Sequence, residues 1–233
     1  MKPVLDMFHK HHGSFGRRTL KELLEKQGVS FSEWKISRIM KLNGLRSKYQ
    51  NRKSKNVYTS KNTKKFIKEN IYATLTEEEK KQEIWSTDFT EEKIEGKKVY
   101  TCAIKSINNK VIVGLKMSTK ISSRIAIEAL IDAIKGFGIP KMILTDRGSP
   151  FVSKAYHDIL EEYGITHSMS RPHCSVDNCF IETLWKTIKV EIGSVKNYTV
   201  EQYTLIMHYF WDYYNHRRPH SSLNYETPIR ISA

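Results

Sequence analysis

The sequence predicts an α/β protein: a mixed sheet flanked by helices, with a small all-helical unit in front of it. Three observations predict this class. Charge is unevenly spread: residues 1–70 hold 18 Lys and Arg against 5 Asp and Glu, whereas residues 71–233 hold 21 against 20, so the formal charge of +14 sits almost wholly in the first third. Periodicity switches at Ile84, from apolar residues at helical spacing to β-rich alternation. Beyond that point, strand-like and helix-like segments follow in the order β-β-β-α-β-α-β-α-α, the pattern of a sheet covered by helices. With 233 residues and 39% hydrophobic content, the chain can bury one substantial core and one small one, which excludes global disorder.

The front unit comes first. After Ser14, the run RRTLKELLEK places Leu20, Leu23 and Leu24 on one face and stops at Gly28. Ser32 then stands as an N-cap for EWKISRIMKL, with Ile36, Ile39 and Met40 inward and Gly44 as the stop. Lys35, Arg38 and Lys41 recur every three residues on that second helix and share an exposed stripe. Two short helices, the second basic on its outer side, are helix-turn-helix-like and suit DNA. The alternative is a solvated basic pair that merely packs on the next domain; the basic stretch Arg46–Lys55 favours DNA. The boundaries that follow are 1–55 for the DNA-binding unit, 56–80 for a basic linker and 81–233 for the core with its C-terminal helical extension.

In the core, IWSTDFT, KKVYTCAI and NKVIVGLKM read as three strands joined by short polar turns. SSRIAIEALIDAIKGFG reads as a helix with Ile127, Leu130, Ile131 and Ile134 inward. KMILT is a short apolar strand ending at Asp146. A helix carrying Tyr156, Ile159, Leu160 and Tyr163 follows, then a strand around THSMS. VDNCFIETLWKTIKVEI is a further helix, and VEQYTLIMHYFWDYYN a last one that starts on the capping box Thr199-x-x-Gln202. The order is the ribonuclease-H-like arrangement. The aromatics Tyr209, Phe210, Trp211, Tyr213 and Tyr214 fit core packing better than base stacking, and Arg217 and Arg218 after them are placed on backbone phosphate.

Three acids stand out by position. Asp88 sits within a strand of Trp, Ser, Thr and Phe, where an acid has low propensity. Asp146 lies at the C-terminal end of an apolar strand, the edge where open α/β sheets place their sites. Glu182 lies inside a helix. At about 100° per residue, Asn178, Lys186 and Lys189 fall within about 40° of it, while Ile181, Leu184, Ile188 and Ile192 lie roughly 80–160° away. Singly each acid is an ordinary surface group. Together they suit phosphodiester transfer, where two Mg²⁺ or Mn²⁺ ions about 4 Å apart activate the attacking oxygen and stabilise the leaving one. Such hard cations take carboxylate oxygens, and Lys186 and Lys189 would hold DNA phosphates beside them.

Between Asp146 and Glu182 stand 35 residues. With the motifs W-S-T-D-F-T (85–90), T-D-R-G-S-P-F (145–151), S-M-S-R (168–171), D-N-C-F-I-E-T-L-W-K-T-I-K (177–189) and Y-N-H-R-R-P-H-S-S-L-N-Y-E-T-P (214–228), the chain resembles the DDE superfamily of transposases and retroviral integrases. It is most similar to insertion-sequence transposases of the IS-three type, the product of their second reading frame. The resemblance covers essentially the whole chain. It implies Asp88, Asp146 and Glu182 as metal ligands, Lys189 as a DNA contact, and metal-dependent cleavage and strand transfer at element ends. It implies terminal repeats and target DNA as substrates, an upstream-frame helix-turn-helix protein as a partner, and a homo-oligomer. Pro150-Phe151 and Val176 depart from the family pattern without touching an implied ligand.

Other classes fit less well. His9, His11 and His12 have no Cys within the first hundred residues to complete a zinc site, and the spacing of His167, His173, Cys174 and Cys179 matches no usual zinc pattern. No Walker A loop is present. Three scattered cysteines, no apolar run for a signal peptide and no membrane-length segment point to the cytoplasm, beside the nucleoid. A nuclease that never joins, or a DNA-binding regulator, are the competing functions; the basic front unit speaks against the first and the three acids against the second.

Overall fold

A computed structural model describes residues 1–51, 67–171 and 174–232; the basic stretch 52–66, with the first part of the expected linker, and His173 lie outside the described residues. The front unit is three helices: α1 (Lys2–Lys10), α2 (Arg17–Glu25) and α3 (Glu33–Leu42). Sequence patterning located the last two but not α1, a short helix with Pro3 in its first turn and Val4, Met7 and Phe8 buried. Val4, Leu20, Leu24 and Ile36, all fully buried, close a core of their own. Ser32 caps α3 by accepting from the Lys35 N–H at 3.2 Å.

Five strands form one sheet: β1 (Ile84–Ile94), β2 (Lys97–Ser106), β3 (Ile112–Ser118), β4 (Met142–Thr145) and β5 (Thr166–Met169), in the order β3-β2-β1-β4-β5. The first three pair antiparallel, and β4 and β5 run parallel to β1. Between β1 and β2 the chain turns through Glu95 and Gly96, both at positive φ, the two-residue hairpin that follows the twist of the strands.

Helices cover both faces of the sheet. On one side α4 (Ser123–Phe137) and α5 (Lys154–Glu162) pack against Trp85, Ile104, Val113 and Ile143. The expected inward isoleucines of α4 are only half-right: Ala126, Ala129, Leu130 and Ala133 are buried, while Ile127, Ile131 and Ile134 flank them. The reason is close approach. A Cβ on Gly114 of β3 would stand 2.8 Å from the Ala129 carbonyl oxygen, so only small residues fit where helix and sheet touch. On the opposite face α6 (Cys179–Glu191) and α7 (Val200–Asp212) cover Val99, Ala103 and Ile112. The α7 capping box forms as expected, with Thr199 accepting from the Gln202 N–H and the Gln202 side chain accepting from the Thr199 N–H.

After α7 the chain widens into a π-helical turn, Tyr213–Arg217, followed further on by α8 (Pro228–Ser232). The wide turn points Asn215 inward. Its fully buried amide accepts from the Ile112 N–H and donates to the Ile112 carbonyl, both at 2.9 Å, which satisfies the first residue of the edge strand β3. Residues 69–75, expected as linker, pack on the far edge instead. The Met169 N–H donates to the Glu69 carbonyl and the Tyr72 N–H to the Ser168 hydroxyl, while Ile71 and Leu75 lie against Ile84 and Leu144.

Candidate active site

Sheet register brings the two aspartates together. Ser86 of β1 pairs with Leu144 of β4 in parallel, so two residues further along each chain Asp88 and Asp146 stand at the same level on neighbouring strands. Residues at matching positions of a parallel pair point to the same face. Asp146 is the first residue past β4, and its Oδ1 accepts from the Gly148 N–H at 2.8 Å. A Cβ on Gly148 would lie 2.9 Å from that oxygen. This close approach explains why glycine follows Asp-Arg here.

The third acid arrives on α6, which crosses the sheet above β1 and β2. Trp185, one turn beyond Glu182, donates its indole N–H to Asp88 Oδ2 at 3.1 Å. Helix and strand are thereby tied at the acid. Lys105 of β2 lies beneath the first turn of α6, buried, with its ammonium donating to the Phe180 carbonyl at 3.0 Å. Burial lowers its pKa to about 8. Neither Trp185 nor Lys105 was singled out from the sequence. The Trp185 signal was legible, an aromatic three residues after the acid, whereas Lys105 reads like any strand lysine.

Electrostatics join the three acids. Burial pushes the Asp88 carboxyl up to about 7, with the Asp146 charge next and a smaller contribution from Glu182; the Phe89 N–H and the Trp185 indole oppose the rise. Burial also raises Asp146, against the Gly148 N–H. All three remain partly accessible to solvent. Among the described residues, however, no three His, Cys, Asp or Glu side chains stand close enough together to enclose a metal ion. The acids share one electrostatic neighbourhood without forming a closed cage. Just ahead of α6, Arg171 holds Asp177 through its backbone N–H at 2.8 Å and its guanidinium at 3.0 and 2.9 Å, and this pairing pulls the Asp177 carboxyl well below its ordinary range.

The expected DNA-facing residues divide. Lys186 and Lys189 are exposed on α6, and the Lys189 ammonium lies 3.7 Å from Glu92. Asn178 departs from the expected polar stripe. It stands at the N-cap position of α6, at the end of a preceding 3₁₀ turn, where it is buried and its side chain makes no capping hydrogen bond. Lys35, Arg38 and Lys41 are all exposed on α3 as the wheel required. Beside them Trp34, missed in the sequence, is 68% exposed, with the Arg38 guanidinium 5.3 Å from its ring centre. Arg218 is not free for phosphate: it is buried against Glu191 at 2.8 Å. Arg217 is exposed and pairs with Asp212 at 2.6 Å.

Comparison with known proteins decides the family. The integrase core domain matches residues 78–175, a second integrase core domain family matches 163–228, and an HTH-like domain matches 1–53. The transposase for insertion sequence element IS904 of Lactococcus lactis is 27% identical over 95% of this chain and 88% of its own length. The transposase InsF for insertion sequence IS3A of Escherichia coli is 24% identical over 81% of this chain and 65% of its own length. The chain belongs to the DDE insertion-sequence transposases. As a transposase it is a polynucleotidyl transferase, an enzyme of DNA strand cleavage and strand transfer. Its fold agrees with the HTLV-2 integrase catalytic core domain solved in complex with magnesium, at a TM-score of 0.53 and 20% identity, covering 65% of this chain and 97% of that one. The transposase has no helix among its described residues long and apolar enough to cross a membrane.

Proposed function

We propose that Asp88, Asp146 and Glu182 are the catalytic acids of this transposase and hold its divalent ions, two Mg²⁺ or Mn²⁺. The observation that carries the reading is the Asp88 carboxyl, raised to about 7 by burial and by the charges of Asp146 and Glu182. A carboxylate penalised in this way gains most from a cation, and hard divalent ions take carboxylate oxygen. Metal bound there would supply charge stabilisation at phosphorus and an activated water or DNA hydroxyl. The chain's own residues do the positioning. Trp185 fixes the Asp88 rotamer, and the Gly148 N–H fixes that of Asp146. Lys186 and Lys189 take phosphates as point charges along α6, and Asn178 stands at the N-cap position of that helix.

The front unit, 1–55, holds DNA through Lys35, Arg38 and Lys41, and the unit 81–233 cuts and joins it. Its substrates are the terminal repeats of the element and target DNA in the bacterial cytoplasm, beside the nucleoid. Further copies of the chain and an upstream-frame helix-turn-helix protein complete the assembly. The test is a labelled duplex carrying the element's terminal repeats, incubated with Mg²⁺ or Mn²⁺ and scored for joined products as well as nicks. The wild type yields both, and Asp146→Asn and Glu182→Gln yield neither. Nicks without joining would point to a nuclease, and binding alone to a regulator.

A further inference from the structure

The helix that presents Glu182 ends at Glu191, and there the front unit docks. Nine residues at about 1.5 Å each place the two acids roughly 13–14 Å apart along one rigid helix. Glu191 Oε1 accepts from the Arg218 Nε at 2.8 Å and from the Tyr49 hydroxyl at 3.0 Å, while the Arg218 Nη2 donates to that hydroxyl at 3.2 Å. Lys48 donates to the Glu191 carbonyl oxygen at 2.9 Å. The Arg218 guanidinium also lies 5.5 Å from the Phe15 ring centre and 5.7 Å from that of Tyr214. Arg218 and Glu191 are each 9% exposed. Phe15, Lys48 and Tyr49 belong to the front unit, Glu191 to α6, and Arg218 to the C-terminal motif.

A second tie lies alongside. Lys26, at the end of α2, meets the Glu226 carboxylate and the Asn224 carbonyl oxygen, both at 2.5 Å, and Tyr225 packs into the front unit's own core. The contact is not an apolar weld, since a cleft of ≈ 410 Å³ runs along it, walled by Phe15, Tyr49, Arg218 and His220. Units joined through polar contacts ordinarily rotate against each other. A buried ion pair is a weak source of stability and is best attested as a device for fixing register. Both parts of that description fit this joint.

We infer that the Tyr49–Glu191–Arg218 joint is a ruler: it fixes the DNA held by the front unit at a set distance from the acids and so selects the phosphodiester that is cut. Arg218, Glu191 and Tyr49 are positioning residues, acting on Glu182 through the length of α6. The inference rests on the reading that α3 holds DNA and the three acids cut it. The experiment separates the two. The full chain is incubated with a duplex carrying the element's terminal repeats and Mg²⁺, and both the protected footprint and the nick positions are mapped at single-nucleotide resolution.

Wild type is expected to cut at one position relative to its footprint. Lys26→Ala with Tyr49→Ala removes the side-chain ties from the front unit to Glu226 and to Glu191 while leaving the Glu191–Arg218 pair within the core. It is expected to keep the footprint and to scatter its nicks over several neighbouring phosphodiesters. An effect on folding alone would reduce the yield at the single position without moving it. Tyr49→Phe, which loses only the hydroxyl, is the milder form of the same test, and a thermal melt confirms that each variant is folded. A single unmoved nick position in both folded variants would overturn the ruler and leave the reading of the site intact. A wild type that shows no footprint dependent on Lys35 and Arg38 would overturn the reading, and the ruler with it.

Discussion

Glu182 and Glu191 sit on the same helix and are treated oppositely by the structure. Glu182 stays partly accessible, and its charge adds to that of Asp146 against the Asp88 carboxyl. Glu191 is buried and met by a guanidinium, a phenol hydroxyl and, at its backbone carbonyl, an ammonium. One end of α6 concentrates negative charge and the other cancels it. The difference separates chemistry from architecture more clearly than residue type does, because an acid kept among acids destabilises the fold and persists for what it can bind. An acid kept beside arginine specifies where two units meet.

The largest effect should come from the uncancelled end. Asp146→Asn should lower strand transfer by about 10³-fold or more, since a metal-stabilised charge is worth several kcal/mol and each 1.36 kcal/mol is tenfold. Quantified joined product against time checks this, and a loss of less than tenfold would move the chemistry elsewhere. At the cancelled end, Arg218→Met strands a buried carboxylate and should cost about 3–5 kcal/mol of unfolding free energy. Adding Glu191→Met should restore most of that, because an apolar pair needs no partner. Urea titration of the three proteins reads the difference, and failure of the second substitution to rescue would show that packing, not charge, sets the cost.

Next in size is the response to pH. Asp88 titrates near 7 in the fold and near 3.8 as an ordinary carboxyl. Between those values the folded chain binds more protons than the unfolded one, so without divalent metal its stability falls as pH rises through that window. Asp88→Asn should flatten that slope in metal-free buffer, and Mg²⁺ should offset it in the wild type. Histidines near the joint act in the other direction. Burial lowers His11 to about 4 and His220 to about 2, so they resist protonation when folded, and stability is lost as pH falls below about 6.5 toward those values. A thermal melt followed from pH 8 to pH 5 should therefore show a steeper loss of stability with falling pH in Asp88→Asn than in the wild type, where protonation of Asp88 offsets part of the histidine penalty. The smallest effect belongs to α3. Lys35→Ala or Arg38→Ala should weaken DNA binding and each lower the salt slope by about one; an unchanged slope would remove α3 from the interface.

Much of this was legible before any coordinates. The places of Asp88, Asp146 and Glu182 in a strand, past a strand end and on a helix were readable from periodicity, whereas their grouping rested on the 35-residue spacing and the family resemblance. The Lys35, Arg38 and Lys41 stripe was likewise readable from periodicity. Residues whose roles depend on contacts across the fold were not. Arg218 looks like a phosphate ligand in Y-N-H-R-R-P-H, and only the packing of that motif against the end of α6 shows its partner to be Glu191, 27 positions earlier. Asn178 satisfies the helical wheel, yet α6 begins one residue later. The alanine face of α4 was misread because hydrophobic patterning ranks isoleucine above alanine, whereas the approach of Gly114 to Ala129 rewards the smaller side chain.

The most direct measurement sets the two ends of α6 side by side: strand-transfer yield and urea midpoint for Glu182→Gln and Glu191→Gln. Glu182→Gln should abolish joined product while leaving the midpoint unchanged or higher, because it removes a charge from an acidic neighbourhood. Glu191→Gln should lower the midpoint and retain joining under conditions where the protein stays folded. If Glu182→Gln still joins DNA, or if the two substitutions affect yield and midpoint alike, then the division of α6 into a chemical end and an architectural end is wrong.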